Sequence, residues 1–181
     1  MSDLFSKNYF EIFNIPVAFE LDTDQLSVLY RELQKEVHPD RFASAGDQQS
    51  RLAVQMTSLV NQAFDTLKMP VSRAHYLLKL AGLDIDHDQD TTMDPMFLME
   101  QMELREEIEA VRSKSDPLAE IDRLLKLVKN KSSLVMDEFA SCYKANDFNK
   151  AHEWSRKMQF LNKNTQELDD IAVAIEDELL G

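Results

Sequence analysis

The sequence predicts an all-α protein in which an antiparallel helix pair with short flanking helices precedes a three-helix bundle. Apolar residues recur at three- and four-residue steps through both halves of the chain, the signature of helices with one buried face. Three glycines and five prolines in 181 residues are too few turn formers for a β-rich fold. No segment shows a defensible two-residue alternation. A composition of 44% hydrophobic and 29% charged residues is that of a globular chain long enough to bury a core.

Each element has its own signals. Tyr9, Phe10, Ile12 and Phe13 form a short segment near 8–14 that stops before Pro16. A second helix starts at Asp22, whose carboxylate can cap, with Gln25 as the return partner of a capping box. Its Leu26, Leu29, Tyr30, Leu33 and Val37 share one face, and Pro39 ends it by disfavouring helical geometry at His38. A loop of about ten residues follows. The third helix, 48–68, aligns Leu52, Met56, Leu59, Val60, Ala63, Phe64 and Leu67. Pro70 opens a short fourth helix that Gly82 closes. Asp94-Pro95 and Asp116-Pro117 repeat a cap followed by proline in the first turn, which predicts helices over 95–114 and 117–144. A last helix, 147–179, carries Phe148, Ala151, Trp154, Met158, Leu161, Leu168, Ile171 and Ile175. Three long helices joined by short turns make an antiparallel bundle.

The expected organisation is therefore a domain over 1–83, a linker over 84–94 and a second domain over 95–181. Alternating aspartates in 84–94 suggest a calcium loop, but Gln89 stands where the sharp-turn glycine belongs and Pro95 where the bidentate glutamate belongs. A solvated linker fits better. The net charge of −13 is uneven: −2 over 1–83 and −11 over 84–181. Such a chain repels phosphate backbones, so no nucleic acid partner is expected. No apolar run is long enough to span a membrane, and Met1–Lys7 lacks the basic start and apolar stretch of a signal peptide, so a cytoplasmic protein with no membrane partner is expected. Cys142 is the lone cysteine, which excludes an internal disulfide and a multi-cysteine zinc site.

His38-Pro39-Asp40, followed by Arg41-Phe42, falls at the junction of the antiparallel pair. Taken alone, the tripeptide has a plain structural reading: His38 complements the helix C-terminus, Pro39 stops the helix and Asp40 caps a turn. Its context matches something more specific. A short aromatic helix precedes, a long amphipathic helix leads in, and Asn61-Gln62-Ala63-Phe64 lies late in the third helix. Over residues of about 8–80 the chain resembles the J-domain, the part of co-chaperones that drives ATP hydrolysis by DnaK-class chaperones. Phe97-Leu98-Met99-Glu100-Gln101-Met102-Glu103-Leu104-Arg105-Glu106-Glu107 and Arg73-Ala74-His75-Tyr76-Leu77-Leu78 extend the likeness over nearly the whole chain. They resemble the HscB-type co-chaperone of iron–sulfur cluster assembly. Members carrying an extra N-terminal cysteine-rich metal knuckle are not matched.

The resemblance implies two binding surfaces. His38, Pro39 and Asp40 would dock near the ATPase domain of a DnaK-class, HscA-like chaperone, Asp40 pairing with a cation there, with Arg31, Lys35 and Arg41 as a basic rim. Glu32 and Glu36 interrupt that rim, a pattern expected to weaken docking or shift its salt dependence. In the free protein Arg31 and Lys35 are expected to have i, i+4 support from neighbouring glutamates. On the helix opened by Pro95, a step of about 100° per residue puts Phe97, Gln101, Leu104, Ile108 and Val111 on one seam. Leu98, Met99 and Met102 are left on the opposite half beside Glu103 and Glu106. They would pack on the last helix or form a contact patch, since methionines adapt to varied partners. In the family this surface holds the IscU-type scaffold on which clusters are built. The matching positions are Leu98, Met99, Met102, Glu103 and Glu106, with Phe160 from the last helix, while Ala110 replaces a family glutamate.

The implied function is a co-chaperone that stimulates the chaperone ATPase and delivers the scaffold to it, with no catalytic residues, metal or cofactor of its own. A J-domain adaptor for a different client, or an adaptor using the acidic bundle alone, is the alternative. An enzyme would need bases or ligands from His38, His75, His87 and His152. These show no ligand spacing on one helical face, and no nucleophile elbow or glycine-rich phosphate loop exists.

Overall fold

A computed structural model describes residues 2–42, 46–83 and 93–180. The chain divides into two compact units, 1–80 and 81–181. Among the described residues every regular element is helical, as the periodicity requires. The aspartate-rich segment, with its linker and calcium readings and His87, lies outside the described residues over 84–92, as does 43–45 of the expected loop.

In the first unit a 3-10 turn (Ser2–Ser6) precedes α1 (Tyr9–Ile12), α2 (Thr23–Val37), α3 (Asp47–Lys68) and α4 (Pro70–Leu80). Asp22 caps α2 as expected, its carboxylate accepting from the amides of Asp24 and Gln25. The full reciprocal box stands at Asn8 and Glu11 on α1. Phe10, Leu26, Val37, Ala53, Met56, Val60, Ala63, Leu67, Ala74, Leu77 and Leu78 form the core. Each large side chain fully buried here is worth about 1.5–3 kcal/mol against exposure.

Polar and aromatic contacts fix the register. Tyr30 stacks on Phe64 with ring centroids 4.1 Å apart. The Tyr30 hydroxyl donates to Asn61 Oδ1 at 3.0 Å and accepts from Gln34 Nε2 at 2.9 Å. Tyr9 stacks on Tyr76 at 4.2 Å, tying α1 to α4. Arg73 is buried. Its Nη1 donates to the Leu67 carbonyl, an otherwise open acceptor at the end of α3, and its guanidinium lies 5.1 Å from the Phe19 ring. Burial pulls the Arg73 pKa below its ordinary value.

The second unit contains α5 (Pro95–Glu109), a 3-10 turn (Val111–Ser113), α6 (Pro117–Lys144) and α7 (Phe148–Leu180). Asp94 and Asp116 cap as the Asp-Pro pairs predict. The helix expected over 95–114 ends earlier, at Glu109. The Ser113 hydroxyl donates to the Ala110 carbonyl, and such local bonds compete with helix continuation. Asn146, in the left-handed region at φ 59°, makes the tight turn between α6 and α7.

Pairings define an up-down-up bundle. Glu100–Lys131 and Glu107–Arg123 run α5 antiparallel to α6. Phe97–Phe160 and Gln101–Asn164, both 63 residues apart in sequence, run α5 parallel to α7. Phe97, Leu104, Ile108 and Val111 are buried as the seam predicts. Gln101 is half-buried, accepting at Oε1 from Asn164 Nδ2 at 2.7 Å, while its Nε2 is buried with no partner among the described residues.

Candidate functional site

The first candidate site is the corner after α2. The expected loop is partly a 3-10 turn, Pro39–Phe42. Pro39 prevents α2 from continuing, so His38 takes φ −58°, ψ 130° and the chain turns sharply. The Arg41 amide then donates to the His38 carbonyl at 3.1 Å. His38 and Asp40 are exposed and Pro39 is half-buried. The Asp40 side chain is 90% accessible, so its carboxylate keeps acceptor capacity for an incoming donor. His38 Nδ1 lies 3.5 Å from the Asp40 carboxylate and accepts the Asp40 amide at 3.3 Å.

The basic rim is differently occupied from the sequence expectation. Arg31, Lys35 and Arg41 are exposed. Arg31 Nε donates to the Ser27 carbonyl at 3.1 Å and has no glutamate three or four residues away, so the support expected of it cannot form, and among the described residues Lys35 makes no ion pair with Glu32, three residues before it. An exposed pair of this kind gains little over hydration. Arg41 Nη1 approaches the Lys35 and Glu36 carbonyls at 3.4 and 3.5 Å, serving open acceptors in the last turn of α2. That structural role has no counterpart in the spacing argument.

The second candidate site is on α5. Leu98, Met99 and Met102 are 39%, 59% and 66% accessible, so the alternative in which they pack into the bundle does not hold. Glu103 and Glu106 are exposed with them. Phe160 is 39% accessible, and its ring meets buried Phe97 edge-on at 6.1 Å, which places an α7 side chain beside the start of α5. Met96, 69% accessible, stands one turn before Met99 and was not singled out in the sequence. The three-residue spacing Met96–Met99–Met102 was the available signal.

Electrostatics separates the α5 carboxylates into two sets. Glu100 pairs with Lys131 at 2.7 Å, Glu107 with Arg123, and Glu109 with Arg105 at 2.9 Å. Glu103 and Glu106 have no ion-pair partner among the described residues. The free pair flanks the exposed methionines, whereas Glu100 and Glu107 tie α5 to α6 and Glu109 pairs within α5. Two carboxylates, Glu120 and Glu107, hydrogen-bond Arg123 and raise its pKa above the ordinary guanidinium value.

Of the histidines suggested for an enzyme, His87 lies outside the described residues. His152 is buried and His75 half-buried, each on a different unit, and no cluster of three potential metal ligands occurs among the described residues. Burial and nearby Asp147 and Glu138 raise the Cys142 thiol above its usual range, which disfavours the thiolate. No helix among the described residues is long and apolar enough to cross a membrane.

A His-Pro-Asp corner on a helical hairpin, followed by a helical bundle, defines a J-domain co-chaperone. The comparisons with known proteins specify the kind. Residues 93–169 match the family described as the HSCB C-terminal oligomerisation domain. A co-chaperone HscB homolog of Shewanella denitrificans is 40% identical over 173 residues, spanning 94% of this chain and 99% of the relative. The chain therefore belongs to the HscB co-chaperone family. The HscB chaperone structure from Vibrio cholerae aligns with TM-score 0.82 at 39% identity, over 96% of this chain and 99% of that one. The crystal structure of human HscB aligns with TM-score 0.81 at 31% identity, over 91% and 81% respectively.

Proposed function

We propose that this chain stimulates the ATPase of a DnaK-class, HscA-like chaperone and delivers an IscU-type iron–sulfur scaffold protein to it, supporting cluster assembly and transfer. The observation that carries the reading is the exposed His38-Pro39-Asp40 corner in a member of a co-chaperone family. In this reading 1–83 is the J-domain, 84–94 the linker and 95–181 the scaffold-binding domain.

The corner acts as a rigid effector. Asp40 offers its open carboxylate to a cation on the chaperone, while His38 and Pro39 contact the surface around it. A contact stronger in the hydrolysis-competent state shifts the chaperone towards that state by its differential free energy. Since Pro39 and the 3-10 bond already hold the backbone, little ordering entropy is lost on docking. Arg31, Lys35 and Arg41 raise the encounter rate more than the affinity.

Leu98, Met99, Met102 and Phe160 supply apolar area to the scaffold, and Glu103 and Glu106, with no ion-pair partner among the described residues, meet its cations. Met96 widens the patch. Methionine adapts its shape, which suits a client that changes as a cluster is built. Delivery is to the cell's soluble machinery, the cytoplasm in a bacterium.

The test is single-turnover ATP hydrolysis by a DnaK-class chaperone with and without this chain, repeated with an IscU-type scaffold. The expected result is a large stimulation by the chain alone and a further rise with the scaffold. An unchanged hydrolysis rate in both settings would remove the proposal.

A further inference from the structure

We infer that Thr57 and Ser50, both on α3, are positioning residues that clamp the two ends of the His38–Asp40 corner and set the direction in which it is presented. The inference rests on the reading of that corner as the chaperone-docking element. Thr57 Oγ1 lies 3.0 Å from the Val37 carbonyl, the last residue of α2, and 2.9 Å from its own helix at the Ala53 carbonyl. A helical threonine satisfies itself on the carbonyl four residues back. The single hydroxyl proton is therefore shared between the Ala53 and Val37 carbonyls, the reach to Val37 being made across the helix crossing. Ser50 Oγ donates to the Phe42 carbonyl at 3.0 Å, at the other end of the 3-10 turn.

The chemistry explains why the Val37 acceptor needs an outside donor. The last carbonyls of a helix have no partner within it. Pro39 brings no N–H to this corner, and Arg41 directs its amide to His38 and its Nη1 to Lys35 and Glu36. Val37 itself is buried, so its carbonyl has little access to water. Without Thr57 the acceptor would be left unsatisfied, or the corner would move to hydrate it. Ser50 and Thr57 are seven residues apart on one helix, about 10 Å along its axis. Five residues of corner are thus held at both carbonyl ends by one rigid rod. Thr57 and Ser50 are half-buried and uncharged, which fits them to hold the corner and not to meet the partner. Productive docking of a carboxylate on a cation tolerates only about 0.5 Å of error, so a loosened clamp shows up in function before it shows up in fold.

The experiment is single-turnover ATP hydrolysis by a DnaK-class chaperone, titrated with the full chain at a temperature well below melting. Thr57→Val keeps the shape and removes the hydroxyl, and Thr57→Ser keeps the hydroxyl. The expected result for Thr57→Val is a fall in maximal stimulation of about three- to tenfold. The half-saturating concentration should change much less, and Thr57→Ser should restore the maximum. Ser50→Ala should show the same split, and it carries the test if Thr57→Val does not fold. Full stimulation by Thr57→Val and Ser50→Ala, with Asp40→Asn inactive, would overturn the clamp and leave the docking reading standing. Equal losses in Thr57→Val and Thr57→Ser would assign the effect to packing and overturn it too. Full activity of Asp40→Asn would instead strike the docking reading itself.

Discussion

The corner after α2 and the exposed face of α5 solve opposite problems. The corner is small, polar and held from several sides: a proline, a 3-10 bond and two α3 hydroxyls fix five residues while the Asp40 carboxylate stays open. The α5 face is broad and apolar, with side chains of many rotamers and two carboxylates that have no ion-pair partner among the described residues. A rigid charge in a fixed place suits a contact that must favour one state of a switch over another. An adaptable apolar surface suits a grip that must form on a partner of variable shape. Rigidity is built by satisfying backbone acceptors in the first case. In the second, stability is kept elsewhere, in the seam of Phe97, Leu104, Ile108 and Val111, so the outer face is spared from folding duty.

That contrast can be broken by mutation. Asp40→Asn removes one exposed charge and should reduce chaperone stimulation by roughly a hundredfold or more, with melting temperature and scaffold binding unchanged. Normal stimulation would show that the corner does not work through its charge. Replacing Leu98, Met99 and Met102 together with alanine should weaken scaffold binding by roughly a hundredfold, read by titration calorimetry. Circular dichroism should show melting moved only slightly, because all three are accessible in the folded chain. A collapse in stability would instead make the α5 face part of the core.

Two smaller effects sharpen the distinction between holding and contacting. Tyr30→Phe deletes the hydroxyl that joins Gln34 to Asn61, and should destabilise the first unit by about 1 kcal/mol. For a unit of this size that lowers its melting temperature by roughly 4–8 °C, leaving scaffold binding untouched. Asp94 is held below the usual carboxylate range, chiefly by the Lys157 ammonium and then by the Met96 amide it caps. A carboxylate with a depressed folded pKa contributes stability above its unfolded pKa and loses it as the pH falls through the folded one. Asp94→Asn should therefore slightly lower the melting temperature at neutral pH, with the difference vanishing in acid. A difference that persists into acid would point to the cap alone, without the ion pair.

Much of this was legible without coordinates. The Asp-Pro pairs mark α5 and α6 because cap and proline act within a few residues of themselves. The surplus of Leu98, Met99 and Met102 over the seam follows from a 100° step alone. Other features were not legible, for a physical reason in each case. The end of α5 at Glu109 depends on a serine hydroxyl competing for a carbonyl. Arg41 looks like a free surface cation in sequence, yet its guanidinium turns back onto α2. The three-residue methionine row from Met96 could have been read and was missed.

Local chemistry written along the chain determined the helices, their caps, the sharp stop before Pro39 and the identity of the tripeptide displayed there, since each depends on neighbours a turn or less away. Only the tertiary structure decided which α5 glutamates are occupied and which are open, that Thr57 and Ser50 bracket the corner, and that Arg73 closes the end of α3. Apart from the Arg105–Glu109 pair within α5, those facts require a side chain to meet a group on another element, and the meeting is set by how the buried faces pack, which no local pattern encodes.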